Sequence, residues 1–178
     1  MANVKLVPLE EGDRNQFILD NQEAFRYGAM EEFGLRDDHF EEDGEIISRQ
    51  TIEASIDGGT AYRIIHNGEK VGGVVVKVEG KQGDLDLLFV APGAHSKGIG
   101  YATWREIETL YPEVEIWQTC TPYFDKRNIH FYVNKCGFKI DEFWCEYFAP
   151  TGDLPEDEHD PNEGPDEMFH FVKVMRKL

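Results

Sequence analysis

Residues 84 to 101 read Asp-Leu-Asp-Leu-Leu-Phe-Val-Ala-Pro-Gly-Ala-His-Ser-Lys-Gly-Ile-Gly-Tyr. The apolar residues up to Val90 predict a buried strand that ends at Pro92, and a helical pattern begins at Gly98. The first N–H groups of a helix lack intrahelical partners and lie at the positive end of its dipole. Because Gly98 and Gly100 have no Cβ, an anion can approach these N–H groups closely. The junction therefore predicts a phosphate-binding site.

Two common phosphate motifs do not fit this spacing. A P-loop has Gly-Lys-Ser/Thr after its four-residue gap; Gly93 and Gly98 have the gap, but Ile99 and Gly100 follow. A dinucleotide-binding fingerprint needs a third glycine at position 103, where this chain has Thr103. The loop must therefore belong to another class of phosphate site.

The run from Val90 to Gly100 resembles motif A of the GNAT superfamily of acetyl-CoA-dependent N-acyltransferases. That motif reads Val-x-Pro, two residues, Arg or Gln, two residues, and Gly-x-Gly/Ala. Every spacing matches, but His95 stands where Arg or Gln is usual. The resemblance implies that acetyl-CoA is the cosubstrate, that its phosphates contact the backbone of this loop, and that Lys97 supplies nearby positive charge.

A second run, Asn128 to Phe138, resembles motif B of the same superfamily, in which Asn opens a helix and Phe-Tyr-x-x-x-Gly-Phe closes it. Its apolar residues share one helical face, and Gly137 suits the position after a helix end. The two motifs occur in the expected order. Together they imply cofactor contacts from Phe89, Val90, Ala91, His95, Ser96, Lys97, Gly98, Ile99, Gly100, Tyr101, Asn128 and Phe131.

The resemblance also implies direct attack of an amine on a thioester carbonyl. This reaction needs an uncharged nucleophile, a stabilised oxyanion and a proton for the departing thiolate. Tyr132 lies at the motif B position that commonly supplies this proton, and a tyrosine with an ordinary pKa of about 10 is protonated at neutral pH. A main-chain N–H near Val90 is expected to polarise the carbonyl.

The general base has several candidates. Asp84 and Asp86 lie on one face of the central strand and are the first of them. Glu115 on the next strand, and Glu31 or Glu32 beside the first helices, are alternatives. A chain of water molecules can also do this work.

Composition indicates one domain over residues 1–178 that is long enough to bury a sizeable core. The formal net charge of −17 argues against nucleic acid as a partner. The sequence has no apolar run of membrane-spanning length and no signal-peptide pattern. Three cysteines without paired spacing predict reduced thiols in a cytoplasmic protein, and the scattered histidines predict no metal site.

The rest of the chain predicts an α/β fold, the GNAT acyl-CoA N-acyltransferase fold, with a mixed, mostly antiparallel central sheet flanked by helices on both faces. The resemblance implies that the central strand and the strand after it splay apart to admit the pantetheine arm. Asn67-Gly68 is a strong signal for a two-residue hairpin. The predicted strands cover residues 4–8, 60–66, 70–79, 84–92, 114–121, 138–148 and 168–175, and the predicted helices cover 10–27, 38–56, 98–111 and 126–135.

Residues 151–167 form an acidic segment with eight carboxylates and no Lys or Arg. Its three prolines and two glycines predict an extended loop between the last two strands. The simpler interpretation is a solvated hairpin tip. The functional interpretation is a lid that gathers a cationic amine by charge steering.

Two functions are compatible with these patterns. One is an N-acetyltransferase that transfers acetyl from acetyl-CoA to a primary amine of a small molecule or peptide, with cationic amines among the candidate acceptors. The alternative is an acyl-CoA-binding GNAT-fold sensor or interaction module with little turnover. The resemblance places Trp117 and Phe124 as possible walls of the acceptor pocket, and the last two strands are a possible homodimer surface.

Overall fold

The computed structural model describes residues 2–33, 45–95, 97–145, 147–148 and 167–175. Within them seven strands form one sheet in the order β1-β2-β3-β4-β5-β7-β6. Every neighbouring pair is antiparallel except β4 and β5, which are parallel. The strands are β1 (Val4–Pro8), β2 (Thr60–His66), β3 (Glu69–Glu79), β4 (Gln82–Val90), β5 (Ile116–Pro122), β6 (Lys139–Trp144) and β7 (Met168–Val174). The predicted mixed, mostly antiparallel sheet is confirmed.

Helices pack on both faces of this sheet, as the fold class predicted. The long helix α1 and the shorter α2 cover one face around a core that includes Phe17, Ile52 and Phe89. The other face packs against α3 and α4 around Trp104 and Phe138. The helices are α1 (Arg14–Phe33), preceded by a 3-10 turn (Glu11–Asp13), α2 (Arg49–Gly58), α3 (Ile99–Leu110) and α4 (Lys126–His130).

The hairpin between β2 and β3 forms where the sequence predicts it. Asn67 and Gly68 both have positive φ, 52° and 83°, as a two-residue turn of this kind requires. The strands and helices that surround the cofactor motif also lie within a few residues of their predicted positions.

The second helix begins later than predicted. Residues 45–48 are not helical, and α2 starts at Arg49 because the Ser48 side chain accepts a hydrogen bond from the Thr51 N–H and caps the helix. Ile47 lies in the bend before this cap and is buried against α1. Residues 38–44 of the predicted helix, like residues 151–166 of the acidic segment, lie outside the described residues.

The motif B helix changes character at Phe131. After α4 it continues as a π-helix over Phe131–Cys136, and the Gly137 N–H donates to the Tyr132 carbonyl five residues earlier. The motif B pattern has three residues between its Tyr and its Gly. In this chain four residues lie between Tyr132 and Gly137, so the motif spacing used in the sequence analysis is one residue too short. A π turn accommodates one extra residue inside a helix.

A buried ion pair fastens α1 and the preceding 3-10 turn to the sheet. The Arg63 side chain on β2 is only 3% exposed, and it donates to Asp13 at 2.7 Å and to Asp20 at 2.8 Å. Its guanidinium also lies over the Phe17 ring. Burial alone would raise the pKa of Asp13. Hydrogen bonds from Arg63 and Lys70 outweigh burial, so the pKa of Asp13 lies below its usual value.

Replacing Arg63 with Met is expected to lower the free energy of unfolding by about 3 to 5 kcal/mol at neutral pH, because two carboxylates lose a buried partner. The matched control is Arg14→Met, which breaks a more exposed ion pair to Asp57 and should have a much smaller effect on stability. Urea unfolding monitored by circular dichroism measures both. Equal losses for the two variants would show that Arg63 does not fasten α1.

Candidate active site

The parallel pairing of β4 and β5 is short. It covers three residue pairs and ends where Asp84 lies beside Gln118. Immediately beyond, the Thr119 hydroxyl donates to the Leu85 carbonyl at 2.8 Å, so a side chain takes over from the backbone. The two strands then diverge without further backbone pairing to each other. This produces the splay that the family resemblance implied.

Beyond the splay, one edge of β4 carries main-chain groups directed toward β5. The Ala91 N–H donates to the Val71 carbonyl on β3 at 2.8 Å. Because alternate residues of a strand direct their polar groups to opposite sides, those of Val90 and Leu88 face the opened side. A main-chain donor at Val90 is therefore available on the edge where the carbonyl-polarising group was expected.

The loop after β4 is organised by two of its own side chains. His95 Nε2 lies 2.7 Å from the Val90 carbonyl oxygen, and the Lys97 ammonium donates to the Gly93 carbonyl at 3.1 Å. The His95 ring also makes an edge contact with Tyr27 of α1. His95 Nδ1 is buried and has no hydrogen-bond partner among the residues that the structure describes.

The N-terminus of α3 is open to an anion. Its N-cap, Gly98, adopts the left-handed conformation with φ 72°, and a Cβ at this position would meet no atom within 4 Å. A Cβ at Gly100 would lie 3.3 Å from the Phe131 ring, which packs against the first turn of α3. The unblocked amides and the Lys97 charge fit the phosphates of coenzyme A.

The other predicted cofactor residues divide into backbone and side-chain contributors. Phe89 packs in the core beneath α1 and α2, and Ile99 packs in a separate apolar cluster with Val71 and Ala94. Both are at most 3% exposed, which leaves only their backbone for a ligand. Asn128 donates its side-chain amide to Asp125 at 2.7 Å and so secures the start of α4. Tyr101 packs beside the α3 core, and Ser96 lies outside the described residues.

Tyr132 projects from the π-helix toward the point where the splay begins. Its side chain is 7% exposed among Phe131, Phe138 and Phe171. Burial raises the pKa of Tyr132 well above its ordinary value, and a hydrogen bond with Thr119 opposes this only in part. The hydroxyl therefore keeps its proton at any physiological pH.

Asp84 and Asp86 lie on the opposite face of the sheet from Tyr132, on the side of α1 and α2. Asp86 accepts a hydrogen bond from Ser55 of α2 and pairs with Lys77 of β3 at 3.1 Å. Partial burial and the neighbouring charge of Asp86 raise the pKa of Asp84, while Lys77 and His170 lower it to a smaller extent. Asp84 is thus a carboxylate that takes up a proton more readily than usual.

Several other candidates are placed elsewhere. Glu115 lies at the start of β5, away from the splay, and forms an ion pair with Lys81 at 2.8 Å. Trp117 is fully buried beside Trp104, so the idea that it walls the acceptor pocket is wrong. The side chains of Glu31 and Glu32 lie outside the described residues.

The sequence did not point to the polar side chains that β5, β6 and β7 bring beside Asp84. His170 lies between Asp141 and Gln118, and Trp144 stacks on its ring. Cys120 projects nearby on β5; the residue is exposed on one side, while its thiol is packed among these side chains. Burial and the negative charges of Asp86 and Asp84 raise the pKa of the Cys120 thiol to about 11.

Some classes of site are missing from the described ranges. No group of three or more His, Cys, Asp or Glu side chains in them is arranged to hold a metal ion. Among the helices that the structure describes, none has the length and apolar character that crossing a membrane requires.

The comparisons with known proteins agree with this geometry. The family model described as Acetyltransferase (GNAT) family matches residues 21–138. The chain is 42% identical to the uncharacterized protein YrkN of Bacillus subtilis over 174 residues, covering 94% of this chain and 91% of that protein. This chain therefore belongs to the GNAT acetyltransferase family.

Solved structures share the fold at low sequence identity. The ribosomal-protein-S18-alanine N-acetyltransferase of Escherichia coli superposes with a TM-score of 0.65 at 16% identity, covering 99% of this chain and 96% of that one. The PaiA N-acetyltransferase of Thermoplasma acidophilum, solved in complex with coenzyme A, superposes with a TM-score of 0.66 at 14% identity, covering 97% and 99%. Family and fold together imply acyl transfer.

Replacing Asp86 with Asn is expected to lower the pKa of Cys120, because one of the charges that raises it is removed. The fraction of thiolate at pH 8 should rise, and alkylation of Cys120 by iodoacetamide should become about threefold faster. Peptide mass spectrometry measures the rate, with Cys145 as the internal reference. Asp57→Asn, which removes a carboxylate of α2 that pairs with Arg14 and does not contribute to the pKa of Cys120, is the control, and an equal acceleration there would contradict the assignment.

Proposed function

We propose that this protein is an acetyl-CoA-dependent N-acetyltransferase that acts on a primary amine of a small molecule or peptide. The observation that carries the proposal is the opened edge of β4, which lies between an unblocked helix N-terminus and the Asp84–Asp86 pair. The coenzyme A complex of the Thermoplasma relative supports the choice of cosubstrate. The E. coli relative, which is named for acetylating an alanine of a ribosomal protein, supports an amine acceptor.

The binding of the cosubstrate falls to the loop and its neighbours. When bound, acetyl-CoA supplies an acetyl group activated as a thioester. The amides at the start of α3 and the Lys97 ammonium hold the phosphates, and the open edge of β4 hydrogen-bonds to the amides of the pantetheine arm. His95 supports the loop by holding the Val90 carbonyl, so its departure from the family pattern leaves the backbone cradle intact.

The chemistry divides between the two faces of the sheet. An amine reaches the site mostly as an ammonium ion and must first give up one proton, for which Asp84, with Asp86 beside it, is the acceptor. The amine nitrogen then forms its bond to the acetyl carbon as the carbon–sulfur bond breaks. The N–H of Val90 stabilises negative charge on the carbonyl oxygen, and Tyr132 donates its proton to the thiolate that leaves. The second proton, which the nitrogen loses as it becomes an amide, returns Tyr132 to its protonated form.

The acidic composition favours a cationic acceptor, because the carboxylates beside the splay attract it and disfavour anionic competitors. The free thiols of Cys120, Cys136 and Cys145 accord with a reducing compartment, and we assign the protein to the cytoplasm.

The proposal is tested by combining binding and turnover. Acetyl-CoA should raise the melting temperature of the protein in a concentration-dependent way. Adding a panel of polyamines, amino acids and peptide amines should then release free thiol with at least one acceptor. Stabilisation by acetyl-CoA without thiol release from any amine would instead support the acyl-CoA-binding module, and no stabilisation at all would reject both functions.

Replacing Tyr132 with Phe is expected to lower kcat by about 100-fold, because the leaving thiolate loses its proton donor. The shift in melting temperature caused by acetyl-CoA should stay close to that of the wild type, since the ring remains in its aromatic surroundings. Tyr123→Phe, an exposed tyrosine after β5, is the matched control. Unchanged kcat in Tyr132→Phe would remove this residue as the general acid.

A further inference from the structure

His170 is held from three sides on the α2-facing side of the sheet. Its Nδ1 lies 2.6 Å from Asp141 Oδ1 of β6, and its Nε2 lies 3.0 Å from Gln118 Oε1 of β5. The Trp144 indole stacks on the ring at a centroid distance of 5.0 Å and an interplanar angle of 24°. With a side chain only 13% exposed, His170 has a fixed position and a fixed ring orientation.

An irregularity in the sheet creates this arrangement. The β6–β7 register shifts between Ile140 and Glu142, and Asp141 is the residue left over. Such a bulge re-aims a side chain, and here it accompanies the approach of the Asp141 carboxylate to His170. Trp144 is held in turn by a hydrogen bond from its indole N–H to Glu142 at 2.7 Å.

The polar chain reaches the splay through Gln118. Gln118 lies beside Asp84 in the last residue pair of the parallel ladder. Side-chain contacts thus run from Asp141 through His170 to Gln118, and the strand register places Gln118 next to Asp84, so the arrangement crosses four neighbouring strands. The charge of His170 acts on Asp84 in the direction that favours the ionised carboxylate.

The hydrogen bonds of His170 depend on its proton. With oxygen atoms facing both ring nitrogens, the imidazolium form donates to Asp141 and to Gln118. In the neutral form one ring nitrogen must accept a hydrogen bond, which requires the Gln118 amide to turn over and present its NH₂ group. The proton on His170 and the orientation of Gln118 beside Asp84 are therefore linked.

We propose that the Asp141–His170–Gln118 chain is a positioning device of the acceptor site, which fixes the His170 imidazole two strands from Asp84 so that its positive charge, when it is protonated, acts on the carboxylate that receives a proton from the acceptor ammonium. This inference rests on the proposed function. His170 does not touch the reacting atoms in this scheme. It acts through Asp84.

Other charged groups lie around the Asp141–His170–Gln118 chain and also affect the ionisation of Asp84. Asp141 and Glu142 of β6 face His170, and Cys120 is its partner in the register with β5. Asp84 on β4 has Asp86 and Lys77 as further neighbours. Because Asp86 opposes ionisation of Asp84 and Lys77 favours it, removing His170 leaves Lys77 as the main neighbouring cation.

The first test uses the wild-type protein without any cosubstrate. Carbon-13 NMR of the Asp84 carboxyl and proton NMR of the His170 ring are followed together from pH 3 to pH 9. The Asp84 carbon is expected to show a second, smaller inflection at the pH where the His170 ring titrates, because the two groups are coupled. If the Asp84 carbon shows no second inflection where the His170 ring titrates, the inference is overturned.

The second test uses variants. His170→Gln should raise the pKa of Asp84, and His170→Lys, which restores a cation, should return it toward the wild-type value. The acid limb of the pH profile of kcat should move to higher pH in His170→Gln, with the KM for acetyl-CoA unchanged. His66→Gln, a histidine on β2 bonded to the Asn3 carbonyl, is the matched control.

The outcomes separate the two proposals. If the wild type releases thiol with an amine but Asp84 titrates identically in His170→Gln, only the positioning role is overturned. If the wild type turns over no amine, the proposed function fails, and with it the acceptor role of Asp84. A shift in Asp84 that His170→Lys does not reverse would show a structural effect and would also overturn the inference.

Discussion

The site depends on how soon the pairing between β4 and β5 ends. Parallel pairing lasts for three residue pairs, and the Thr119 hydroxyl then closes the ladder against Leu85. Beyond this point the backbone N–H and C=O groups of β4 that face β5 are left for a ligand to pair with, because buried backbone groups need partners. The loop that resembles motif A lies at the far end of the same strand. The carboxylates and the tyrosine lie on opposite faces near the start of the opening.

The parts of the fold that the sequence predicted well are those fixed by local chemistry. The Asn67-Gly68 turn and the Gly98 N-cap both require positive φ, and short-range sequence signals identify them. The start of α2 was missed because the Ser48 cap overrides an apolar pattern that continues through residue 47. A capping residue and an apolar pattern give competing signals for the position where a helix begins. The periodicity did not show that Ile47 is buried outside the helix.

The acceptor side of the site was less predictable, for a different reason. His170 meets a partner 29 residues away in sequence and another 52 residues away, and both contacts depend on strand register. A one-residue change in register would turn His170 to the opposite face, and the bulge at Asp141 alters that register locally. No spacing rule in the sequence encodes such a coincidence. Motif reasoning therefore reached the loop after β4 and the π-helix, and it did not reach the His170 cluster.

The π-helix at Phe131–Cys136 separates two attachments of the same helix. Its first residue, Phe131, packs against Gly100 of α3, whereas its end at Gly137 leads directly into Phe138 in the core. The extra residue is absorbed between these contacts, so both ends keep their places. For evolutionary comparison this means that an alignment drawn without a gap transfers a relative's tyrosine to Val133 or displaces Gly137. Homologous positions in this helix have to be matched by their location in space and not by counting along the chain.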